Sequence, residues 1–315
     1  MNNRILIVDI SVYRESIAKM FIETGYEVHI CESAFDAISK LKAYEYDLIV
    51  SEVELPGDNA FDLYNYINKH YPYIPTIMTT EKNIDTFFNR IFVEGIGNVL
   101  CKPVKRDEFL NLAGKLITKT NIFGLQNYMS TIDEMKKIRI TSSAQIQKAI
   151  NAAIDQILSW GFAIENRMIL NLVLNEMAIN AVYHSHGFTK EKEMRIPVKL
   201  KENSFVDIFF AKNDTAYGFA INDYNGILTK QTILSSINNV IEQSNLMIRA
   251  AETGEDINEL IADTGRGIDL VRKLCGEYYF IIKNGERTEI MLIFDRLVTH
   301  DDENYSSLKI IEDLR

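Results

Sequence analysis

The sequence predicts two folded units: a doubly wound α/β unit with a five-stranded parallel sheet, then an α+β sandwich. Three observations lead there. The 315 residues exceed one ordinary domain and fit two of roughly 100–200 residues each. In the first half, five short apolar runs alternate with five helical stretches, the rhythm of right-handed βαβ crossovers. In the second half that rhythm breaks: three strand-like runs follow two helical ones, and Asn284-Gly285 marks a later hairpin.

Each element follows from its pattern. Arg4–Asp9 is a strand-like apolar run, and Val12–Thr24 has helical spacing and stops at Gly25. Tyr26–Cys31 is the next strand and Phe35–Leu41 the next helix. Asp47–Val50, Ile74–Met78 and Gly97–Cys101 supply three more strands; Phe61–His70, Asn83–Val93 and Asp107–Thr118 supply the helices. Residues 121–135 are mixed and polar and read as a linker, partly helical at most. Lys137–Ile140 is a strand, Ser143–Ser159 and Glu165–His184 are helices, and Arg195–Lys201, Phe205–Ala211 and Ala216–Asn222 are three strands in succession. A polar helical stretch over Thr229–Ile261 leads to Gly265-Arg266-Gly267, then to a helix Ile268–Cys275 and a hairpin Tyr278–Lys283 and Thr288–Phe294. The expected units are therefore 1–120 and 136–297, with a charged tail, 298–315, in which Leu308-Lys309-Ile310-Ile311 suggests a docking helix.

Composition narrows the classes. Hydrophobic residues make up 47% and charged residues 25%, ordinary for a soluble globular protein. No apolar run approaches the roughly 18 residues that span a bilayer, and Met1-Asn2-Asn3-Arg4-Ile5 passes into a strand without a signal-peptide pattern. Cys31, Cys101 and Cys275 lie far apart without a CxxC pair and read as reduced thiols, so a cytoplasmic location is expected. A formal net charge of −10 argues against nucleic acid as the main partner.

In doubly wound sheets the functional site lies at the carboxyl ends of the strands. Asp9, Glu52, Thr80 and Lys102-Pro103 fall there, after the first, third, fourth and fifth strands. With that spacing, residues 1–120 resemble a response-regulator receiver domain. The resemblance implies that Glu52 stands where the family has the phosphoryl-accepting aspartate, that Thr80 is the responsive hydroxyl, and that Lys102 and a cis Pro103 complete the pocket. It also implies Mg²⁺ held by clustered acids, but Ile10 replaces the second acid after the first strand and Val99 replaces an aromatic residue. Glu81 stands where a small residue is usual. Two readings of Glu52 follow: a carboxylate mimic of the phosphorylated state near Lys102, or a decayed pocket kept as a docking surface.

In the helix 165–184, Glu176 and Asn180 are spaced i, i+4 and share one face, while Leu174, Ala178, Ala181 and Val182 line the opposite side. Downstream come Asp223-Tyr224-Asn225-Gly226, then Gly265-Arg266-Gly267, then Thr288-Glu289-Ile290. In that order these segments resemble the nucleotide-binding boxes of the GHKL ATPase superfamily, nearest the small anti-sigma-factor serine kinases. The resemblance implies ATP and Mg²⁺ as cofactors, with Asn180 as metal ligand, Glu176 as general base and Asp223 as acceptor for the adenine amino group. Gly226, Gly265 and Gly267 would shape the pocket, Thr288 would support the adenine end, and 227–264 would stand as the lid. Asn225 replaces a family glycine, and Asp269 replaces another; its carboxylate either faces the phosphates or points outward at a helix N-terminus. His184 and His186, two apart on a helix, diverge and do not suggest a metal site.

Two functions from different classes remain open. One is a partner-switching regulator that phosphorylates a serine or threonine of a small anti-sigma-antagonist protein, or sequesters a sigma factor, as a homodimer. The other is a silent receiver and ATPase pair that works only through protein binding. A sensor histidine kinase is disfavoured because residues 119–150 contain no histidine, and a DNA-binding regulator because no basic recognition helix follows the receiver-like unit.

Overall fold

The computed structural model describes residues 3–253, 266–296 and 307–313. The chain divides into two compact units, Met1–Thr120 with Glu303–Lys309, and Asn121–Asp302 with Ile310–Arg315.

In the first unit the strands are β1 (Arg4–Val8), β2 (Glu27–Cys31), β3 (Leu48–Glu52), β4 (Thr76–Thr80) and β5 (Asn98–Cys101). They pair in parallel in the order β2-β1-β3-β4-β5. Between them run α1 (Arg14–Glu23), α2 (Ala34–Ala43), α3 (Asn59–His70), α4 (Phe88–Glu94) and α5 (Arg106–Thr118). Strands covered on both faces need apolar side chains on both, so β1 buries Ile5, Leu6, Ile7 and Val8 in succession. The helices bury one stripe each: Ile17, Ala18 and Phe21 on α1, and Phe109, Leu112, Ala113 and Leu116 on α5. Ser33 caps α2 by accepting a hydrogen bond from Asp36 N, and Gly95, at φ +67°, ends α4 in the left-handed region.

A sixth strand segment, absent from the five-stranded expectation, adds to this unit. Leu308 and Lys309 pair antiparallel with Val99 and Asn98 of β5. They begin β11 (Leu308–Asp313), so the tail forms a strand where a docking helix was expected. The reason is local. Leu308, Lys309, Ile310 and Ile311 are all buried, and a short run buried on every side satisfies strand and helix patterns alike.

In the second unit, β6 (Glu134–Ile140), β7 (Val206–Lys212), β8 (Ala216–Asp223), β9 (Glu277–Lys283) and β10 (Arg287–Asp295) pair antiparallel in the order β9-β10-β8-β7-β6. Residues 310–313 of β11 pair in parallel with β9, which makes the sheet mixed. The helices are α6 (Ile146–Ser159), α7 (Arg167–Ile179), α8 (Thr189–Glu193), α9 (Lys230–Thr253) and α10 (Arg266–Leu274). α7 packs on α6 and α10, and α10 packs on α9. α7 stops five residues early relative to expectation, because Asn180–His184 forms a wider π-helical turn, a feature found most often beside functional sites.

Two further readings are corrected. Arg195–Lys201 is irregular and carries one bridge, Ser142 to Lys199. Arg195 takes φ +56° and Pro197 has no N–H to donate, so a regular strand cannot form there. Residues 121–135, read as a linker, are packed into the second unit: Ile122, Leu125, Tyr128 and Met129 are buried. Gly124 N donates to Glu289 Oε1 at 2.7 Å, the Tyr128 ring lies 4.6 Å from that of Tyr279 at a 45° tilt, and β6 already starts at Glu134. Among the described residues no helix is long and apolar enough to cross a membrane.

Candidate functional site

The first site is at the carboxyl edge of the parallel sheet. Asp9 follows β1, Glu52 ends β3, Thr80 ends β4 and Lys102 follows β5, and all four are buried. The Lys102–Pro103 peptide is cis. Lys102 Nζ sits 2.7 Å from Asp9 Oδ2 and 2.9 Å from Glu52 Oε1, and donates to Ser11 Oγ at 2.8 Å. Glu52 and Ser11 accept hydrogen bonds from the ammonium, while Asp9 Oδ2 is its ion-pair partner without a hydrogen bond of its own. Glu52 Oε2 accepts from Ile10 N at 2.9 Å, and Asp9 Oδ1 from Ser11 N at 2.6 Å. Both carboxylates are thus held on the ammonium and on backbone N–H groups.

Thr80 stands apart from that triad. Its hydroxyl donates to Glu54 Oε1 at 2.6 Å and accepts from Lys82 N at 3.0 Å. Glu81 is exposed and adds no charge to the pocket, and Val99 is fully buried in the sheet. Ser11 and Glu54, not singled out from the sequence, prove to be pocket partners; a hydroxyl two residues after Asp9 was the available signal for Ser11. The residues present do not fit Mg²⁺. Only two acids face the lysine, both are engaged by it, and among the described residues no three metal-ligating side chains cluster.

The second site lies where α7, its π-helical turn and α10 meet. A Cβ built on Gly267 would lie 3.0 Å from Glu176 Cβ, 3.1 Å from Glu176 Oε2 and 3.4 Å from Asn180 Nδ2. The absent side chain is what lets the first turn of α10 approach these two residues. Gly265 lies outside the described residues. Asn180 Oδ1 accepts from Lys192 Nζ at 3.0 Å, and the same ammonium is 3.1 Å from His184 Nε2. Burial holds the Lys192 ammonium below its ordinary pKa, against the pull of Glu176. Burial, then the neighbouring Lys192, pushes the His184 imidazole down as well. Lys192 went unnoticed in the sequence, because Thr189-Lys190-Glu191-Lys192-Glu193 reads as a solvated charge run.

At the far end, Asp223 closes β8 and Thr288 faces it across the β8–β10 pair. Asp223 Oδ1 accepts from Asn225 N and Gly226 N, each at 3.1 Å, while burial raises its carboxyl pKa. Asn225 Nδ2 donates to Ser185 O at 2.7 Å. Gly226 takes φ +59°, and a Cβ there would lie 2.4 Å from Lys283 O, so no other residue fits. Thr288 Oγ1 is buried without a hydrogen-bond partner. Asp269 forms ion pairs with Arg272 at 2.6 Å and Lys273 at 3.0 Å within α10, which neutralises the charge that stood in question against phosphate.

A nucleobase fits the chemistry of the Asp223 end: a buried carboxylate accepts an amino hydrogen, and the unpartnered Thr288 hydroxyl needs a polar neighbour. A magnesium ion does not fit Asn180 as arranged, because its only amide oxygen already holds an ammonium.

A doubly wound 2-1-3-4-5 sheet with acids, threonine and lysine at its carboxyl edge defines the first unit as a receiver. Comparison with known proteins agrees: the response regulator receiver domain family matches residues 5–113. The probable transcriptional regulator ycf29 of Pyropia yezoensis is 27% identical over 135 residues, 41% of this chain and 61% of that protein. The DNA-binding transcriptional regulator NtrC of Rhizobium meliloti is 28% identical over 113 residues, 35% of this chain and 23% of that protein. The chain therefore spans less than two thirds of the length of either relative. A solved signal receiver domain of an HD domain-containing protein from Pseudomonas fluorescens is 25% identical, with a TM-score of 0.35 over 37% of this chain and 87% of that one. Residues 5–113 are a response regulator receiver domain.

Proposed function

We propose that this protein is a cytoplasmic signalling regulator whose second unit binds ATP under the control of a receiver that works without phosphorylation. The packing of Gly267 against Glu176 and Asn180 carries the proposal, since it joins two motifs 87 residues apart in the chain. In this reading Asp223 accepts from the adenine amino group and Thr288 partners the base edge. Glu176 takes the proton from a serine or threonine hydroxyl of a small anti-sigma-antagonist-like partner as that oxygen bonds the γ-phosphorus and the bond from the γ-phosphorus to the β,γ-bridging oxygen breaks, releasing ADP. Sequestration of a sigma factor by a homodimer is the companion output in partner switching. Calorimetric titration with ATP tests the site. Micromolar binding lost in Asp223→Ala supports it, and absence of heat at adequate protein concentration rejects it.

A second reading, a silent receiver and ATPase scaffold, is favoured by the two lysines. Lys102 closes the receiver pocket and Lys192 occupies the amide oxygen of Asn180. Glu176→Ala separates the readings: it abolishes transfer to a serine-bearing partner and spares ATP binding in the first, and changes no enzymatic property in the second.

A further inference from the structure

We infer that Lys192 is the positive charge that receives the phosphates of a nucleoside triphosphate in the second unit, so that binding there does not require a divalent cation. This rests on the nucleotide-site reading above. The geometry makes three points. First, the ammonium is anchored on one side only, by Asn180 Oδ1 at 3.0 Å and His184 Nε2 at 3.1 Å. Those contacts use two of its three N–H groups, and among the described residues the third has no acceptor. Second, both anchors are neutral: an amide oxygen and an imidazole whose protonation burial, and then the neighbouring ammonium, oppose. Among the described residues the ammonium forms no ion pair and feels Glu176 only as a longer-range attraction, unlike that of Lys102, which is bound by two carboxylates. Third, Lys192 is half-buried on α8 and holds Asn180, whose π-helical turn lies beside Gly267 in the first turn of α10. Helix N-termini direct N–H groups toward anions, and the acid in that turn, Asp269, is already paired with Arg272 and Lys273.

The physical consequence is a different dependence on metal. A site that supplies only an amide oxygen must take its triphosphate with Mg²⁺, because several negative charges arrive unneutralised. A site that supplies a desolvated ammonium neutralises part of that charge itself, as a point charge with freely rotating donors. An anchor that only supported α8 would instead give the same nucleotide affinity whether or not the ligand carried β- and γ-phosphates.

The experiment is calorimetric titration of the full chain with ATP and with AMP, each in excess EDTA and in excess MgCl₂, for the parent, Lys192→Met and Lys192→Arg. The expected result is parent ATP affinity in EDTA within about threefold of that in MgCl₂. Lys192→Met loses at least about tenfold for ATP in EDTA and less than about twofold for AMP, while Lys192→Arg retains most ATP affinity. Parent binding of ATP that needs MgCl₂, with Lys192→Met unaffected, overturns the inference and leaves the nucleotide site standing. Equal losses of ATP and AMP in Lys192→Met assign the lysine to folding and overturn it too. No binding of either nucleotide by the parent removes the nucleotide site and the inference together.

Discussion

Lys102 holds two carboxylates and a hydroxyl in a space closed to water, and its environment decides what each substitution costs. Glu52→Gln keeps the shape and one acceptor but loses the charge-assisted bond, and should lower the stability of the first unit by ~1–3 kcal/mol in urea denaturation. Lys102→Met leaves Asp9 and Glu52 buried against each other and should cost ~3–5 kcal/mol. If Lys102→Met unfolds at the parent urea midpoint, the pocket is wet and the ion triad is not its support. Asp223 carries a different liability. Its carboxyl pKa is raised by burial, so the native state binds the proton more tightly than the unfolded chain does. The stability it contributes is complete below the unfolded carboxyl range and is lost as pH rises through its folded value. Asp223→Asn should therefore melt higher than the parent at pH 7.5, with the difference vanishing toward pH 4, while weakening ATP binding. A variant that melts lower than the parent at pH 7.5 would contradict the burial argument. These residues differ in how legible they were. Asp9, Glu52 and Lys102 stand at strand ends, where a motif has a fixed address. Lys192 sits in a run of alternating charge, and only the folded turn shows that one lysine of the run is drawn onto Asn180.

At the scale of elements, the α/β alternation was legible because parallel strands buried on both faces leave continuous apolar runs that no solvated loop would keep. The irregular 195–201 segment was not, since its left-handed Arg195 leaves no trace in hydropathy. Nor was the packed 121–129 segment, held by Glu289 and the Tyr128–Tyr279 ring contact far along the chain. The turn after β8 offers a direct test of local geometry. Gly226 and Gly285 both take positive φ, +59° and +73°, but only Gly226 has backbone atoms where a Cβ would go. Gly285→Ala should cost ~1–2 kcal/mol for the left-handed conformation alone. Gly226→Ala should cost more, by at least ~1 kcal/mol, because the β9–β10 turn must also move. Equal costs in thermal denaturation would mean that the contact with Lys283 O relaxes freely.

For the whole molecule, a receiver without a metal-binding acid cluster predicts a simple chemical result. Incubation with acetyl phosphate and Mg²⁺ should leave the intact mass unchanged, and a phosphoryl adduct on the first unit would reject a phosphorylation-independent receiver. Glu52→Asp with Ile10→Asp restores the acid count and is the variant in which such an adduct is expected to appear.

The outer edge of β5 is completed late in the life of the chain. Cys101 N donates to Ser307 Oγ across 206 residues, and Lys309 reaches Glu108 across 201. A ribosome adding roughly 5–20 residues per second needs about 10–40 s to make that interval. Throughout it the nascent receiver presents an unpaired strand edge, a template for pairing with neighbouring chains. Crowded polysomes and fast overexpression are therefore the conditions in which this protein is most exposed to aggregation, and slower synthesis at low temperature should raise its soluble yield.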